Sequence, residues 1–146
     1  MHTIDKSIEI HAPKSKVGFV LTDPKMTAIW CSEFMPGSYM EGEWKEGGTV
    51  RYLDGSNQGL RGTVTHYNPE SMLRVEYNAE ITNGVEYTDS EEAKKWVGTY
   101  DEWHLSEENG VTTLRLESKA PKEYYEDFLE MWDITLEKVK ELAESN

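Results

Sequence analysis

Apolar residues recur with two different periods along this 146-residue chain, and the changes of period divide it into segments. Ile4, Ile8 and Ile10 sit at even spacings, the two-residue period of a half-buried strand. Pro13 then suits the first position of a helix whose apolar side is Val17, Val20 and Leu21. Asp23-Pro24 repeats the device: Asp23 can cap free amides, and Pro24 opens a second short helix carrying Met26, Ile29 and Trp30. From Ser38 to Ser118 the strand period returns. The runs Thr49–Leu53, 62–67, 72–77, 98–105 and 111–116 are rich in β-branched and aromatic residues. Gly47-Gly48, Asp54-Gly55, Asn68-Pro69 and Asn109-Gly110 punctuate them, and the last pair predicts a tight hairpin. The gaps leave no room for crossover helices, so the sheet reads as a mostly antiparallel meander.

Two stretches break the meander. The connection 79–97 contains Asp89-x-x-Glu92, a capping box that would start a one- or two-turn helix through Lys95. Connections of that length are usually functional or mobile. After Ala120-Pro121, the residues Tyr125, Phe128, Leu129, Trp132, Leu136, Val139 and Ala143 recur at spacings of three and four. They predict an amphipathic helix of about 20 residues with an acidic outer face. A curved antiparallel sheet and one long helix bury both apolar faces only if the helix lies across the concave side. A rod in a trough leaves space toward its ends, so a cavity is expected there. With no repeats and no linker, residues 1–146 read as one domain, long enough to bury a real core.

Composition then narrows the function. The chain has 28 acids against 15 bases, a formal charge of −13, which argues against nucleic acid and against docking on anionic membranes. The lone Cys31 excludes an internal disulfide and a cysteine-based zinc site, and fits a reducing compartment. The N-terminal residues lack a targeting pattern, and the apolar run 17–21 is far too short to span a bilayer, so the expected address is the cytoplasm. Gly47-Gly48 lies in a turn without a following Lys-Ser/Thr, so no phosphate loop and no cofactor are expected.

The aromatic content, five Trp, eight Tyr and three Phe, is the chemistry that remains. Such residues pack cores, and they also wall pockets, offering an apolar body with one polar tip. The candidates for a cavity wall are Trp30, Phe34, Tyr39, Trp44 and Tyr52 in the first third of the chain. Tyr77 and Trp103 on later strands, with Tyr125, Phe128 and Trp132 on the last helix, complete the set. Glu102 and His104 share a strand face and could pair for acid–base work, but Trp103 and Leu105 are the better inward residues. That puts Glu102 and His104 toward solvent. No catalytic residue and no metal site is assigned; His66, His104 and Glu102 could form one only if their strands were neighbours and faced alike. Arg51, Arg61, Arg74 and Arg115 lie on strands, where surface ion pairs worth about 0–1 kcal/mol are the expectation.

Several of these segments together resemble a known family. After the first strand, Ile10-His-Ala-Pro13, Lys16-Val17, Leu21-Thr-Asp-Pro24 and Trp30 are similar to the start of the START-like (SRPBCC) helix-grip superfamily. Glu41-Gly-Glu-Trp-Lys-Glu-Gly-Gly48, Gly62-Thr-Val-Thr with Asn68-Pro69, and Gly110-Val-Thr-Thr-Leu resemble its branch named after the activator of Hsp90 ATPase. The ending Glu130-Met-Trp132…Leu136-Glu-Lys-Val-Lys-Glu-Leu142 fits the same branch. The resemblance implies an α+β helix-grip fold: a curved antiparallel sheet wrapped around a long C-terminal helix, with two short helices after the first strand. It also implies binding of apolar or amphipathic small molecules between sheet and helix.

Three functions follow from it. The first is a small-molecule binding protein, with the 79–97 connection, including Tyr87 and Trp96, as a movable rim. The second is a co-chaperone or protein-interaction module with a chaperone partner such as Hsp90. The third is a cyclase- or hydrolase-type enzyme using the same cavity, which would need an inward carboxylate or histidine. Monomer and homodimer both stay open. The negative charge concentrates in 80–108, with nine acids against two bases, and in 122–146, with eight against three. This is a solubilising surface or, if it frames the cavity, a rim favouring neutral or cationic ligands over fatty acids.

Overall fold

The computed structural model describes residues 2–145, and in it the alternating runs become one twisted antiparallel sheet. The strands are β1 (His2–Ile10), β2 (Tyr39–Gly42), β3 (Thr49–Leu53), β4 (Gly59–Asn68) and β5 (Met72–Thr82). β6 (Val85–Tyr87), β7 (Tyr100–Glu108) and β8 (Val111–Ala120) follow. Their lateral order is β1-β8-β7-β5-β4-β3-β2, with β6 paired to the far end of β5, beyond β7. Every pairing is antiparallel, as the short connections require. Asn109-Gly110, both at positive φ, turns β7 into β8.

The 79–97 connection is not a loop. β5 runs on to Thr82, and Asn83-Gly84, at φ 52° and 79°, forms a second tight hairpin into β6. The helix that follows, α3 (Glu91–Trp96), is capped by Ser90, whose Oγ accepts from the Ala93 amide, and not by the Asp89–Glu92 box. Asp89 stands one residue too early to reach the free amides of that first turn.

The other helices form where the caps and periods place them. α1 (Lys14–Thr22) starts behind Pro13, and α2 (Pro24–Phe34) starts behind Asp23, whose carboxylate accepts from the amides of Lys25 and Met26. Ile29 on α2 faces outward. After a single 3₁₀ turn at Lys122–Tyr124, α4 (Tyr125–Glu144) runs 20 residues. Trp132, Leu136, Val139 and Ala143 on α4 are buried, while its acidic face meets solvent.

Three indoles fasten helices to sheet. Trp103 of β7 meets Trp30 of α2 at 5.9 Å and Trp132 of α4 at 5.4 Å, both edge-to-face. The buried Trp30 Nε1 donates to the Val20 carbonyl of α1 at 2.9 Å, so the same ring also sets α1 against α2. At the solvent edge Lys6 bridges to Asp133 at 2.7 Å, and Lys140 donates to the Glu9 carbonyl, clamping α4 along β1. The sheet bends through two register shifts between β4 and β5, at Arg61/Gly62 and Val64/His66.

Gly18 of α1 lies directly against the Pro69 carbonyl in the β4–β5 turn, and an added Cβ would overlap that backbone. We therefore expect Gly18→Ala to cost about 1–3 kcal/mol, lowering Tm by roughly 3–10 °C. Gly55→Ala, which meets open space, should leave Tm unchanged. Parallel thermal unfolding of the two variants checks this contact.

Candidate functional site

Beyond the three-indole joint the helices and the sheet diverge, leaving a pocket of about 580 Å³. The C-terminal end of α2 presents Trp30, Cys31, Phe34 and Met35 to it. From the sheet come Tyr52 of β3, Leu60 of β4, Tyr77 and Glu80 of β5, Asp101 of β7 and Ser118 of β8. Trp96 of α3, Tyr124 of the 3₁₀ turn and Phe128 and Trp132 of α4 close the remaining side.

Six of the ten aromatics singled out from the sequence lie on this wall: Trp30, Phe34, Tyr52, Tyr77, Phe128 and Trp132. Four lie elsewhere. Trp103 is 1% exposed and sits behind the pocket, between Trp30 and Trp132. Tyr125 is turned around α4 from Phe128 and packs on His2 of β1 at 4.8 Å. Trp44, in the β2–β3 connection, packs half-buried against the core. Tyr39 faces a separate hollow beside Arg51 and Glu86.

The rim is an aromatic clasp. Trp96 stacks on Tyr124 at 5.3 Å, and Tyr124 stacks on Phe128 at 5.8 Å. Glu92 accepts from Trp96 Nε1 and from the Tyr124 hydroxyl, each at 3.3 Å, and Lys95 pairs with Glu123 at 3.1 Å. Tyr87, expected on the rim, is instead exposed on β6.

The most unusual wall residue is a carboxylate that sequence reasoning passed over. Asp101 is 7% exposed; Tyr77 Oη donates to its Oδ2 at 2.6 Å and Ser118 Oγ donates to its Oδ1 at 2.7 Å. Burial pushes its carboxyl above the ordinary value of 3.8, with the two hydroxyls pulling the other way. Burial, together with the charge on Asp101, holds the Tyr52 and Tyr77 phenols well above their ordinary range and raises the Cys31 thiol. Cys31 is accordingly no nucleophile at neutral pH.

Asp101 was readable, because it shares the inward strand face with Trp103 and Leu105. Glu80 was not. Asn78 is an extra residue in the β5 ladder, since Gly62 pairs Tyr77 while Arg61 pairs Ala79. The bulge shifts the alternation, so that Glu80 lines the pocket, accepting from Thr82 Oγ1 at 2.6 Å and Ser90 Oγ at 3.1 Å.

The other polar candidates lie outside the pocket. His104 Nε2 and Glu102 Oε2 are 2.8 Å apart, and Arg74 donates to Glu102 at 2.6 Å. Partial burial opposes ionisation of Glu102, yet those two hydrogen bonds hold its carboxyl below the ordinary range. His66 is exposed beside Thr65, and among the described residues no group of three or more His, Cys, Asp and Glu is placed to hold a metal. Arg51 and Arg61 share Glu86, and Arg115 pairs with Asp5 and Glu117.

The comparisons fit this architecture. The family model described as activator of Hsp90 ATPase homolog 1-like protein matches residues 11–144. No curated protein matches the sequence. The Aha1 dimer from Colwellia psychrerythraea has the same fold at TM-score 0.73 and 18% identity, covering 99% of this chain and 97% of that one. Protein CV1439 from Chromobacterium violaceum aligns over the whole of both chains at TM-score 0.72 and 15% identity. DynU16, from the dynemicin biosynthetic locus, aligns at TM-score 0.70 and 16% identity; 98% of this chain spans 47% of that longer one. At these identities the likeness is one of fold. No helix among the described residues is long and apolar enough to cross a membrane.

Asp101 has a stability signature. The folded protein holds its proton more tightly than the unfolded chain does, so its contribution is most favourable below the ordinary value of 3.8 and declines as pH rises through the raised value. Asp101→Asn, which keeps the shape and removes the charge, is expected to raise Tm near neutral pH. The gain should shrink as pH falls toward about 4. Thermal unfolding of both proteins across that range decides it; a deficit of Asn at every pH would show that the hydroxyl bonds outweigh the charge.

Proposed function

The chain belongs to the activator of Hsp90 ATPase homolog 1-like family, and on that footing we propose that it binds an apolar or amphipathic small molecule between its sheet and α4. The observation that carries this reading is the aromatic wall, drawn from α2, α3, the 3₁₀ turn, α4 and the two strands β3 and β5 around a volume suited to a ligand of two or three rings. Tyr52, Tyr77 and Ser118 offer hydroxyl groups within an apolar surround, the combination that orients a ligand without gripping it by charge alone. The acids on the wall, Asp101, Glu80 and Glu92, disfavour a fatty-acid carboxylate.

An interaction surface is the weaker reading. The large exposed apolar side chains Phe19, Ile29, Met35, Val85, Tyr87, Val97 and Ile134 are distributed over α1, α2, β6, α4 and two connections. A docking face needs such groups gathered together.

The neutral fluorophore N-phenyl-naphthylamine is expected to bind one-to-one, with a rise in its emission and quenching of tryptophan fluorescence. Phe128→Ala, which removes part of the wall, should weaken it about tenfold through loss of roughly 1–2 kcal/mol of apolar contact. Palmitate should compete poorly. Absence of binding by this probe, together with protein that carries no small molecule in native mass spectrometry, would sink the reading.

A further inference from the structure

A charge taken out of water needs an opposite charge or a dense shell of donors, and Asp101 has neither. Each of its oxygens accepts one neutral hydroxyl, from Tyr77 or Ser118, leaving acceptor capacity on both. No Lys, Arg or His among the described residues forms an ion pair with it, although it lines the pocket. Its neighbours do not compensate: Tyr52, Tyr77 and Cys31 are held neutral around it. Farther along the wall, Glu80 is 7% exposed and hydroxyl-bonded, again with no basic partner among the described residues. Glu92 shares Lys95 with Glu123, and Asp54 is held by the amides of Ser56 and Gln58. Lys119 is the single basic residue at the pocket among those described, and in the β8 alternation it falls on the face opposite Ser118.

The same volume is walled by aromatic faces, which attract organic cations through their ring quadrupoles. We infer that the pocket takes a protonated amine carried on an apolar or aromatic body, with the ammonium group anchored on the Asp101 carboxylate and flanked by aromatic rings. This inference rests on the pocket reading above and adds the ligand's charge and its anchoring residue. The amine supplies the countercharge that the fold omits, and Tyr77 and Ser118 fix the carboxylate in position to receive it.

Three probes of one shape separate the possibilities: naphthylethylamine, naphthylethanol and naphthylacetate, titrated into the intact protein near neutral pH with tryptophan quenching as readout. The amine is expected to bind at least about tenfold more tightly than the alcohol, and the acetate most weakly. Asp101→Asn should bring the amine down to the alcohol's affinity while changing the alcohol's by less than about threefold. A second measurement needs no variant. As the pH is lowered into the raised titration range of the Asp101 carboxyl, binding of the amine should release protons, seen in calorimetry as a heat that depends on the buffer. The alcohol should release none. Equal affinity of amine and alcohol for the unaltered protein, or a preference that survives Asp101→Asn, overturns the inference and leaves the pocket reading standing. Failure of all three probes to bind removes both.

Discussion

The edge-to-face contacts of Trp103 with Trp30 and Trp132 are the joint on which this fold turns. A single curved sheet has a concave apolar face that nothing in the sheet itself can cover. Here α2 and α4, helices of different length, supply that cover together with α1, and one buried indole on the sheet locates both of them. Aromatic pairs of this kind are worth about 0.5–1.5 kcal/mol each beyond their burial. Their larger effect is geometric, because a ring wedged between two helices fixes how closely each can approach the strands. Trp30 and Trp132 each show one side to Trp103 and another to the pocket. The joint is therefore also one wall of the pocket.

That double role explains how much the sequence could tell. The long helix was legible because seven apolar residues repeat every three or four positions over five turns. The two short helices were legible from Pro13 and Asp23-Pro24. β6 was not, because only three residues form it and its alternation is inverted, with the apolar Val85 and Tyr87 exposed and Glu86 half-buried between them. Within the aromatic set, composition cannot separate a wall residue from a core residue. Trp103 and Trp132 are both buried and touch each other, yet one lines the pocket and the other sits behind it. Glu80 was hidden for a different reason: its direction depends on one extra residue, Asn78, in a ladder that a sequence alone reads as unbroken.

Charge is sorted across the sheet by the same alternation that sorts apolar residues. Arg74 holds Glu76 and Glu102 and lies 3.9 Å over the Tyr100 ring, while Arg115 holds Asp5 and Glu117. Arg51 and Arg61 are committed to Glu86. Every strand arginine is thus paired away from the pocket, in exposed or half-exposed networks worth little individually. The outcome matters more on the other face. With the strand guanidinium groups spent outside, the carboxylates that alternation and the bulge turn inward, Asp101 and Glu80, have only hydroxyls for company.

A protein under selection for stability alone would not keep Asp101. A valine or threonine there would extend the apolar face formed by Trp103 and Leu105, and replacing a buried charge by a packed apolar side chain is commonly neutral or stabilising. Instead three strands converge on the carboxylate. Asp101 comes from β7, its cross-strand partner Ser118 from β8, and Tyr77 from β5 across the gap that Thr99 bridges by backbone hydrogen bonding. Two hydroxyls placed from two flanking strands orient an acid in the sheet; they do not neutralise it. Orientation without neutralisation is the arrangement expected of a recognition group whose counterpart arrives from outside, with the stability lost in its absence regained on binding. The aromatic joint makes the space, and the outward pairing of the arginines leaves that space negative. A ligand that fills it must satisfy both conditions together, being apolar along most of its length and positive where it meets β7.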